Sequence, residues 1–439
     1  MSAKQSGYVT DVTYPAHFHK EIQPVWLATV ATLKGLQVPD IAQGYSYCEL
    51  GCGLGVNLLV AAACNPLGEF VGVDFNAQHI AFARQSAEAL GLKNLRFIQA
   101  DFAEFAQSNA LFFDFMVSHG VWSWIPASTQ QQVLKAVQRG LKPKGLFYLH
   151  YMCHPGSTQM MPVQKLLNEL AHSLSGTSEQ NMGAGLDLLT RLDLAGVFHD
   201  QPTLSASLTQ LQKMNKAYLA HDLLSDHWNP QHSVDVHRMA AQFGLTYLDS
   251  ANAFEMIEAL SIPQSAQALI ANVSSPAVRE TLKDLARSQR QRQDLFQKQP
   301  QALTAEVCVQ RISQMVFELM PAAPHSGGQV FRTPIGDIDG PAELLSPVLQ
   351  RLAQGPAQVA ELCRLPVYAG NLPQLMQSLL LLMWRGHVHP QRPDGPANPV
   401  EAGALRSWIK QHDLKIEAVP SCGTAVVDEA VRNVQPGSR

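Results

Sequence analysis

No stretch of this chain reaches the ~18 consecutive apolar residues that a helix needs to cross a bilayer. Residues 1–7 (Met-Ser-Ala-Lys-Gln-Ser-Gly) also lack the apolar segment of a secretory leader. A cytoplasmic protein with no membrane partner is the expectation. Positive charge is not in excess either: 32 Lys and Arg stand against 36 Asp and Glu, a formal charge of −4. That leaves no basic face of the kind that tracks a nucleic-acid backbone, and no nucleic-acid partner is expected. The one basic stretch, Lys283 to Lys298, reads as a solvated helix face. The seven cysteines (Cys48, Cys52, Cys64, Cys153, Cys308, Cys363, Cys422) are odd in number and scattered, which argues against a disulfide framework. Cys48 and Cys52 have no second pair to complete a metal site. The histidine pairs His17/His19, His221/His227 and His387/His389 match no ligand spacing, so no metal is expected. What remains is an ordinary globular composition, 46% apolar and 15% charged, on 439 residues: enough for two or three domains.

Against that background one segment is specific: Tyr47-Cys48-Glu49-Leu50-Gly51-Cys52-Gly53-Leu54-Gly55-Val56-Asn57. An apolar strand here must stop, turn tightly and enter a helix with its backbone close to a ligand, and residues without a Cβ allow that approach. Gly51, Gly53 and Gly55 supply the turn, Val56 to Cys64 reads as a buried helix, and Asn65-Pro66 stops it. A dinucleotide-binding G-x-G-x-x-G would need glycine at Val56, and Glu49 would then face an anionic pyrophosphate. S-adenosylmethionine carries a sulfonium and an ammonium instead, so a carboxylate beside the loop suits it.

The following elements arrive in the order of a doubly wound α/β fold. Glu69 to Asp74 is a second strand whose closing carboxylate is placed to accept hydrogen bonds from ribose hydroxyls. Asn76 to Leu90 is a helix closed by Gly91, and Leu95 to Ala100 a third strand ending at Asp101-Phe102, the position of contacts to adenine. Phe112 to Ser118 and Gly145 to Met152 are the fourth and fifth strands. The cofactor set read from these loops is Glu49, Gly51, Cys52, Gly53, Gly55, Asn57, Asp74, Phe75, Asp101, Phe102, Ser118 and His119.

Several segments together resemble one family. Tyr14-Pro15-Ala16-His17-Phe18, Gln23-Pro24, Leu27-Ala28, Glu49-Leu50-Gly51-Cys52-Gly53 with Asn57, and Phe113-Asp114-Phe115 with His119-Gly120-Val121-Trp122-Ser123-Trp124-Ile125-Pro126 are similar to methyltransferases carrying a "methyltransferase regulatory domain", a group that includes rickettsial protein-lysine methyltransferases. The likeness continues through Tyr218-Leu219-Ala220-His221-Asp222 and residues 240–248. The chain departs from the family's pattern at Leu54 and Val56, and at Tyr151 to Ser157, where the family carries an aromatic-rich run. The resemblance implies a class I sheet, S-adenosylmethionine as cofactor and a homodimer.

A class I sheet finishes with a helix, a sixth strand and an antiparallel seventh, and these do not follow the fifth strand directly. Residues 161–229 read as a helical insertion, a lid or dimer contact, with a Gly/Ser/Asn-rich break from Ser173 to Gly185. The cofactor domain is then 1–160 with 230–315: helix Val234 to Phe243, strand Leu245 to Asp249 and a last strand near Ala305 to Gln310. After the linker Pro321 to Gly328, residues 330–439 form a small, mostly helical unit. Glu343 to Ala353, Pro356 to Cys363 and Leu372 to Arg385 are its helices, followed by a short β segment, a winged-helix-like pattern whose third helix is not basic. The tail after Val419 reads as loosely ordered.

Methyl transfer is an in-line displacement at a sulfonium methyl, so the protein positions a neutral nucleophile and limits water. The loop after the fourth strand is where acceptors sit in such folds. His119, Trp122 and Tyr151 are the catalytic candidates, and Tyr14, Trp122, Trp124, Tyr151 and His154 the acceptor-binding ones. The Asp/Asn-Pro-Pro-aromatic motif of amide and adenine methyltransferases is absent at Ser118-His119-Gly120-Val121. Three readings stay open: methyl transfer to protein lysine, transfer to a small metabolite, and a cofactor-binding protein without turnover whose acceptor pocket is blocked by Met152 or His154.

Overall fold

The computed structural model of the chain describes residues 4–5, 7–12, 15–395 and 399–427. Helix α1 (Pro24–Leu33) leads into strand β1 (Tyr45–Leu50), and α2 (Val56–Cys64), β2 (Gly68–Asp74), α3 (Ala77–Ala89), β3 (Leu95–Gln99), α4 (Phe102–Ser108), β4 (Phe113–Ser118), α5 (Ala127–Gly140) and β5 (Leu141–Met152) follow. The five strands, α2 and α3 form close to where the sequence pattern places them, with β5 starting earlier, at Leu141; α1, α4 and α5 carry no such expectation. All nine residues of α2 are buried, against the sheet on one side and the C-terminal unit on the other. Withdrawing Leu58, Leu59 and Val60 from water contributes about 1.5–3 kcal/mol each. Asn76 caps α3 by accepting from the backbone N–H of Gln78 and His79, and Gly91, at φ +68°, follows its end.

Four helices come next, α6 (Met161–Ser173), α7 (Ser178–Leu194), α8 (Pro202–Leu211) and α9 (Lys216–Leu223), then α10 (Ser233–Gln242) and β6 (Leu245–Ser250). The expected break over Ser173 to Gly185 is shorter than the composition suggests. Thr177 and Gln180 form a reciprocal capping box that restarts the helix at Ser178, and Gly185 lies inside it, where a Cβ would sit 2.5 Å from Leu167.

Short helices α11 (Glu258–Ser261), α12 (Gln264–Ala271) and α13 (Pro276–Arg287) lead to β7 (Gln291–Lys298). The sheet order is β3-β2-β1-β4-β5-β7-β6, with β7 antiparallel to both of its neighbours. Two expectations are corrected here. The last strand is Gln291–Lys298, and Ala305–Gln314 is helix α14, started by Thr304 accepting from the Val307 N–H. The basic stretch is therefore the end of α13 and an interior strand rather than a solvated helix face. Its charges are compensated internally: buried Arg292 pairs with Asp284 at 2.5 Å, Asp294 at 2.8 Å and Glu280 at 2.9 Å. A sequence without spatial partners cannot display that compensation.

The C-terminal part holds β8 (Val316–Leu319), a hairpin of β9 (Gln329–Thr333) and β10 (Gly336–Gly340), α15 (Ala342–Leu352), β11 (Ala357–Gln358), α16 (Val359–Leu362), α17 (Leu372–Arg385), β12 (Val388–Pro390), α18 (Pro399–Gln411), β13 (Ile416–Val419) and β14 (Thr424–Val427). Strand β8 pairs with β11 and β12, so the small sheet draws on residues either side of the linker. The middle helix is only Val359–Leu362, because Ala357 and Gln358 join that sheet. The chain beyond Val419 is not loose as far as Val427. It turns through Pro420–Cys422 and returns as β14, paired to β13 and packed on α2, with Cys422 and Thr424 fully buried. Among the described residues no helix is long and apolar enough to cross a membrane.

Candidate active site

Strand β1 ends against a loop in which Gly51, Gly53 and Gly55 all take positive φ (+80°, +52°, +74°). The three glycines have different reasons. A Cβ at Gly51 would meet Val121 at 2.4 Å and one at Gly55 the Phe97 ring at 2.7 Å, whereas nothing lies within 4 Å of one at Gly53. The first two are forced by packing; the third faces open space, where a ligand can approach the backbone.

Three carboxylates stand around that space. Glu49 is buried; Asn57 Nδ2 lies 3.4 Å from its Oε1, and its Oε2 has no hydrogen-bond partner among the described residues. Burial pushes its pKa up to about 8, tempered by Asn57 and reinforced by Asp74. Asp74 accepts from the backbone N–H of Gly53 and of Asn76, both at 2.9 Å, so it locks the glycine loop to the end of β2. Its pKa is also raised by burial, against those two donors and nearby His79. Asp101 caps α4: it accepts from Glu104 N–H at 2.8 Å while Glu104 accepts from its own N–H at 3.0 Å. Its carboxylate thus has a structural duty on the cavity wall.

The cavity these groups share measures about 1430 Å³. Glu49, Gly51, Cys52, Gly53, Gly55, Asn57, Asp74, Phe75, Asp101, Phe102, His119 and Trp124 all line it. Ser118 does not; it is fully buried at the end of β4, its Oγ without a hydrogen-bond partner among the described residues.

Three of the catalytic and acceptor candidates fall elsewhere. Tyr151 is fully buried, donating to Asp294 Oδ2 at 2.6 Å. Strand alternation decides this: Tyr148 and His150 face the cavity side of β5, and Tyr151 faces the Arg292 network. Trp122 is fully buried in the opposite core, its indole N–H on Gln231 Oε1, whereas Trp124 reaches the cavity. Both lie in a 3₁₀ turn, where side chains two apart point in different directions. His154 bonds Thr158 Oγ1 at 2.8 Å and rests on His232, and neither it nor Met152 lines the cavity. Blockage by those two side chains is therefore overturned. Tyr14 lies outside the described residues.

Sequence reading missed a column of histidines. His19 stacks on His119 at 3.7 Å, His119 on His150 at 4.2 Å, and His150 lies 6.5 Å from Trp124 in a near-parallel plane. His119 Nδ1 is 2.9 Å from the Tyr148 hydroxyl, and His150 Nδ1 accepts from Gly120 N–H at 3.2 Å. Burial, with mutual repulsion at His19 and His119, lowers all three: His19 to about 3, His150 to about 4, and His119 well below its ordinary value. The column is uncharged at neutral pH. His19 was visible only as half of a rejected metal pair, and His150 is one residue out of phase with the Tyr151 candidate. Among the described residues no group of His, Cys, Asp or Glu is arranged to hold a metal.

Comparison with known proteins gives the same reading of the fold. Residues 41–230 match a family profile described as "Methyltransferase domain", and residues 215–298 one described as "Predicted methyltransferase regulatory domain". An uncharacterised Synechocystis protein, sll1526, is 30% identical over 388 residues, 88% of this chain and 76% of the relative. An uncharacterised Rickettsia prowazekii protein, RP789, is 29% identical over 246 residues, 55% of this chain and 44% of the relative. PKMT2 from Rickettsia typhi, solved in complex with AdoHcy, superposes with a TM-score of 0.68 at 18% identity, covering 86% of this chain and 77% of that one.

Proposed function

We propose that this chain, which belongs to the S-adenosylmethionine-dependent methyltransferases carrying a methyltransferase regulatory domain, transfers methyl groups to lysine side chains of proteins. The residues present fit the cofactor: Glu49 Oε2 is buried with no hydrogen-bond partner among the described residues, and the loop at Gly53 leaves its backbone open. Glu49 would hold the cofactor's ammonium and Asp74 its ribose hydroxyls, and Phe102, beside the capped Asp101, would stand at its adenine. When bound, S-adenosylmethionine supplies a methyl group on a sulfonium, open to in-line attack by a neutral nucleophile.

The observation that carries the acceptor reading is the reach of the cavity. It extends from the glycine loop past Trp124 and the N-terminal end of α9 to Arg332 and Asp337 on the β9–β10 hairpin and to Trp384 at the end of α17. That is more room than a cofactor and a small metabolite need, and it suits a side chain presented by a polypeptide. The name PKMT2 of the rickettsial neighbour and the sequence resemblance to rickettsial protein-lysine methyltransferases point the same way.

The chain's own groups prepare the amine. The neutral histidine column forms a wall with no positive charge to oppose a sulfonium, and its desolvated surface favours a free amine over an ammonium at the point of transfer. The column is too weakly basic to take the lysine proton, so that proton leaves by another group.

The test is transfer from radiolabelled S-adenosylmethionine to the proteins of a cell lysate, followed by acid hydrolysis and chromatography of the amino acids. Label that co-migrates with methylated lysine is expected. Label confined to small molecules would refute the acceptor assignment while leaving the methyltransferase standing.

A further inference from the structure

The cavity carries several carboxylates, and their surroundings sort them. Glu49 and Asp74 belong to the cofactor loops, Asp101 and Glu104 are spent on each other in a capping box, and Glu21 lies 3.8 Å from Lys20. Asp413 pairs with Lys415, and Asp337 sits on the outer hairpin. Asp222 differs from all of them. It lies on α9 of the helical insertion, half-buried in the cavity wall beside the loop that follows β4.

Its setting is aromatic. Trp124 Nε1 donates to the Asp222 carbonyl at 3.0 Å, which ties the loop after β4 to the insertion. Trp228 Nε1 approaches Asp222 Oδ1 at 3.4 Å, and Tyr218, one turn back on the same helix, lines the cavity with it. A carboxylate held by an indole N–H, in a cavity that Trp124 and Tyr218 also line, suits an organic ammonium: the carboxylate pairs with the charge, and the aromatic side chains of the lining offer it cation-attracting surface. Through Trp124 and His150 it is linked by ring contacts to His119, beside the glycine loop.

We propose that Asp222 is the residue that receives the acceptor amine, binding its ammonium between Trp124 and Tyr218 and taking its proton. This rests on the lysine reading above and names the group that reading leaves open. The step balances: an N–H bond of the ammonium breaks and an O–H bond forms on the Asp222 carboxylate. The electron pair left on nitrogen then attacks the methyl carbon as the carbon–sulfur bond breaks, giving a methylammonium and a neutral thioether. Asp222 afterwards returns its proton to water in the cavity.

The protonation of Asp222 is set by neighbours on several elements. Burial raises its pKa to about 6, against the Trp228 and Trp124 indoles and the charge of Arg290 ahead of β7. His150 on β5, reached through Trp124, is neutral, and His221 beside Asp222 on α9 is lowered to about 4. Lys4, His172 and Asp226 form a separate ionic cluster.

The experiment uses the full chain with saturating labelled S-adenosylmethionine and lysate proteins, reading the initial rate of methyl-lysine formation from about pH 5.5 to 9. Wild type should lose activity below about pH 6. Asp222→Asn, which keeps the shape and an acceptor for Trp228, should lower the rate at pH 7 by roughly 100-fold and recover toward high pH, where lysine loses its proton unaided. Its cofactor affinity should stay within about twofold of wild type. Trp228→Phe removes a donor that stabilises the anion, so its acid limb should move to higher pH; this variant decides the matter if Asp222→Asn fails to fold. An unaltered rate and acid limb in Asp222→Asn, or an unmoved limb in Trp228→Phe, overturns the proposal and leaves lysine methylation intact. Loss of cofactor binding in both variants overturns it by making Asp222 structural. Wild-type label in products other than methyl-lysine removes both readings together.

Discussion

Residues that look alike in the sequence separate once their partners are known. Tyr151 and His150 are neighbours on β5, yet one serves the buried Asp294 network and the other the cavity. Tyr151→Phe should therefore leave the methyl-transfer rate within about threefold, while removing one buried donor lowers stability by about 1–2 kcal/mol in chemical denaturation. Glu49 makes a different prediction. With its pKa at about 8 it is largely protonated near pH 7, and pairing with a cationic ligand must expel that proton. Calorimetry at pH 7 in buffers of differing ionisation enthalpy should show proton release on cofactor binding, and Glu49→Gln should abolish it. An enthalpy that ignores the buffer in wild type would contradict this. The glycines, carboxylates and Trp124 were legible from sequence because strand ends fix them; His19, His150 and Asp222 were not, because what brings them in is alternation parity and the return of distant segments.

At the scale of elements, the first five strands, α2 and α3 were readable because each is bounded by its own turn chemistry and carries an apolar run, even β3 at the exposed sheet edge. Strand β7 was not, since it reads Gln-Arg-Gln-Asp and its charges are compensated by Glu280 and Asp284 on α13, by the Arg292–Asp294 pair within the strand and by His237 on α10. The glycine loop offers a test that separates folding from binding. Gly55→Ala meets the Phe97 ring as well as a positive φ, so it should lower stability by about 2–3 kcal/mol in thermal or urea unfolding. Gly53→Ala meets only the strain of φ, about 1 kcal/mol, and should fold, yet put a methyl where the cofactor approaches and weaken its binding. Equal stability losses with equal cofactor affinities would contradict the division of labour drawn here.

Across the whole molecule, the cofactor sheet and the C-terminal part share one core. Lys20 donates to the Trp384 carbonyl at the end of α17 at 2.7 Å, Arg392 donates to the Cys64 carbonyl at 2.6 Å, and α2 lies against β13, β14 and α18. Titration should act on this unit as a whole. His19, His150, His221 and His389 are held by burial at about 3 to 4, so below their unfolded value of 6.5 the unfolded chain binds more protons. Stability from these groups is complete above pH 6.5 and lost as pH falls; Glu49 acts in the opposite sense between 4.5 and about 8. Asp294 and Glu280, depressed to about 2, extend the loss below about pH 4. The apo protein should thus melt at progressively lower temperature from about pH 6.5 to 5, the four histidines, with His119 lowered in the same sense, outweighing the raised carboxyls of Glu49, Asp74 and Asp222. A melting temperature that rises over that interval would contradict this assignment.

The central claim is that the carboxylates around the glycine loop hold S-adenosylmethionine, and calorimetric titration of the cofactor into wild type and Asp74→Ala tests it most directly. Wild type should bind. The variant should lose about 2 kcal/mol, roughly thirtyfold in affinity, because charged hydrogen bonds to the ribose disappear. Equal binding by the two proteins, with both folded, would place the cofactor elsewhere and contradict the account.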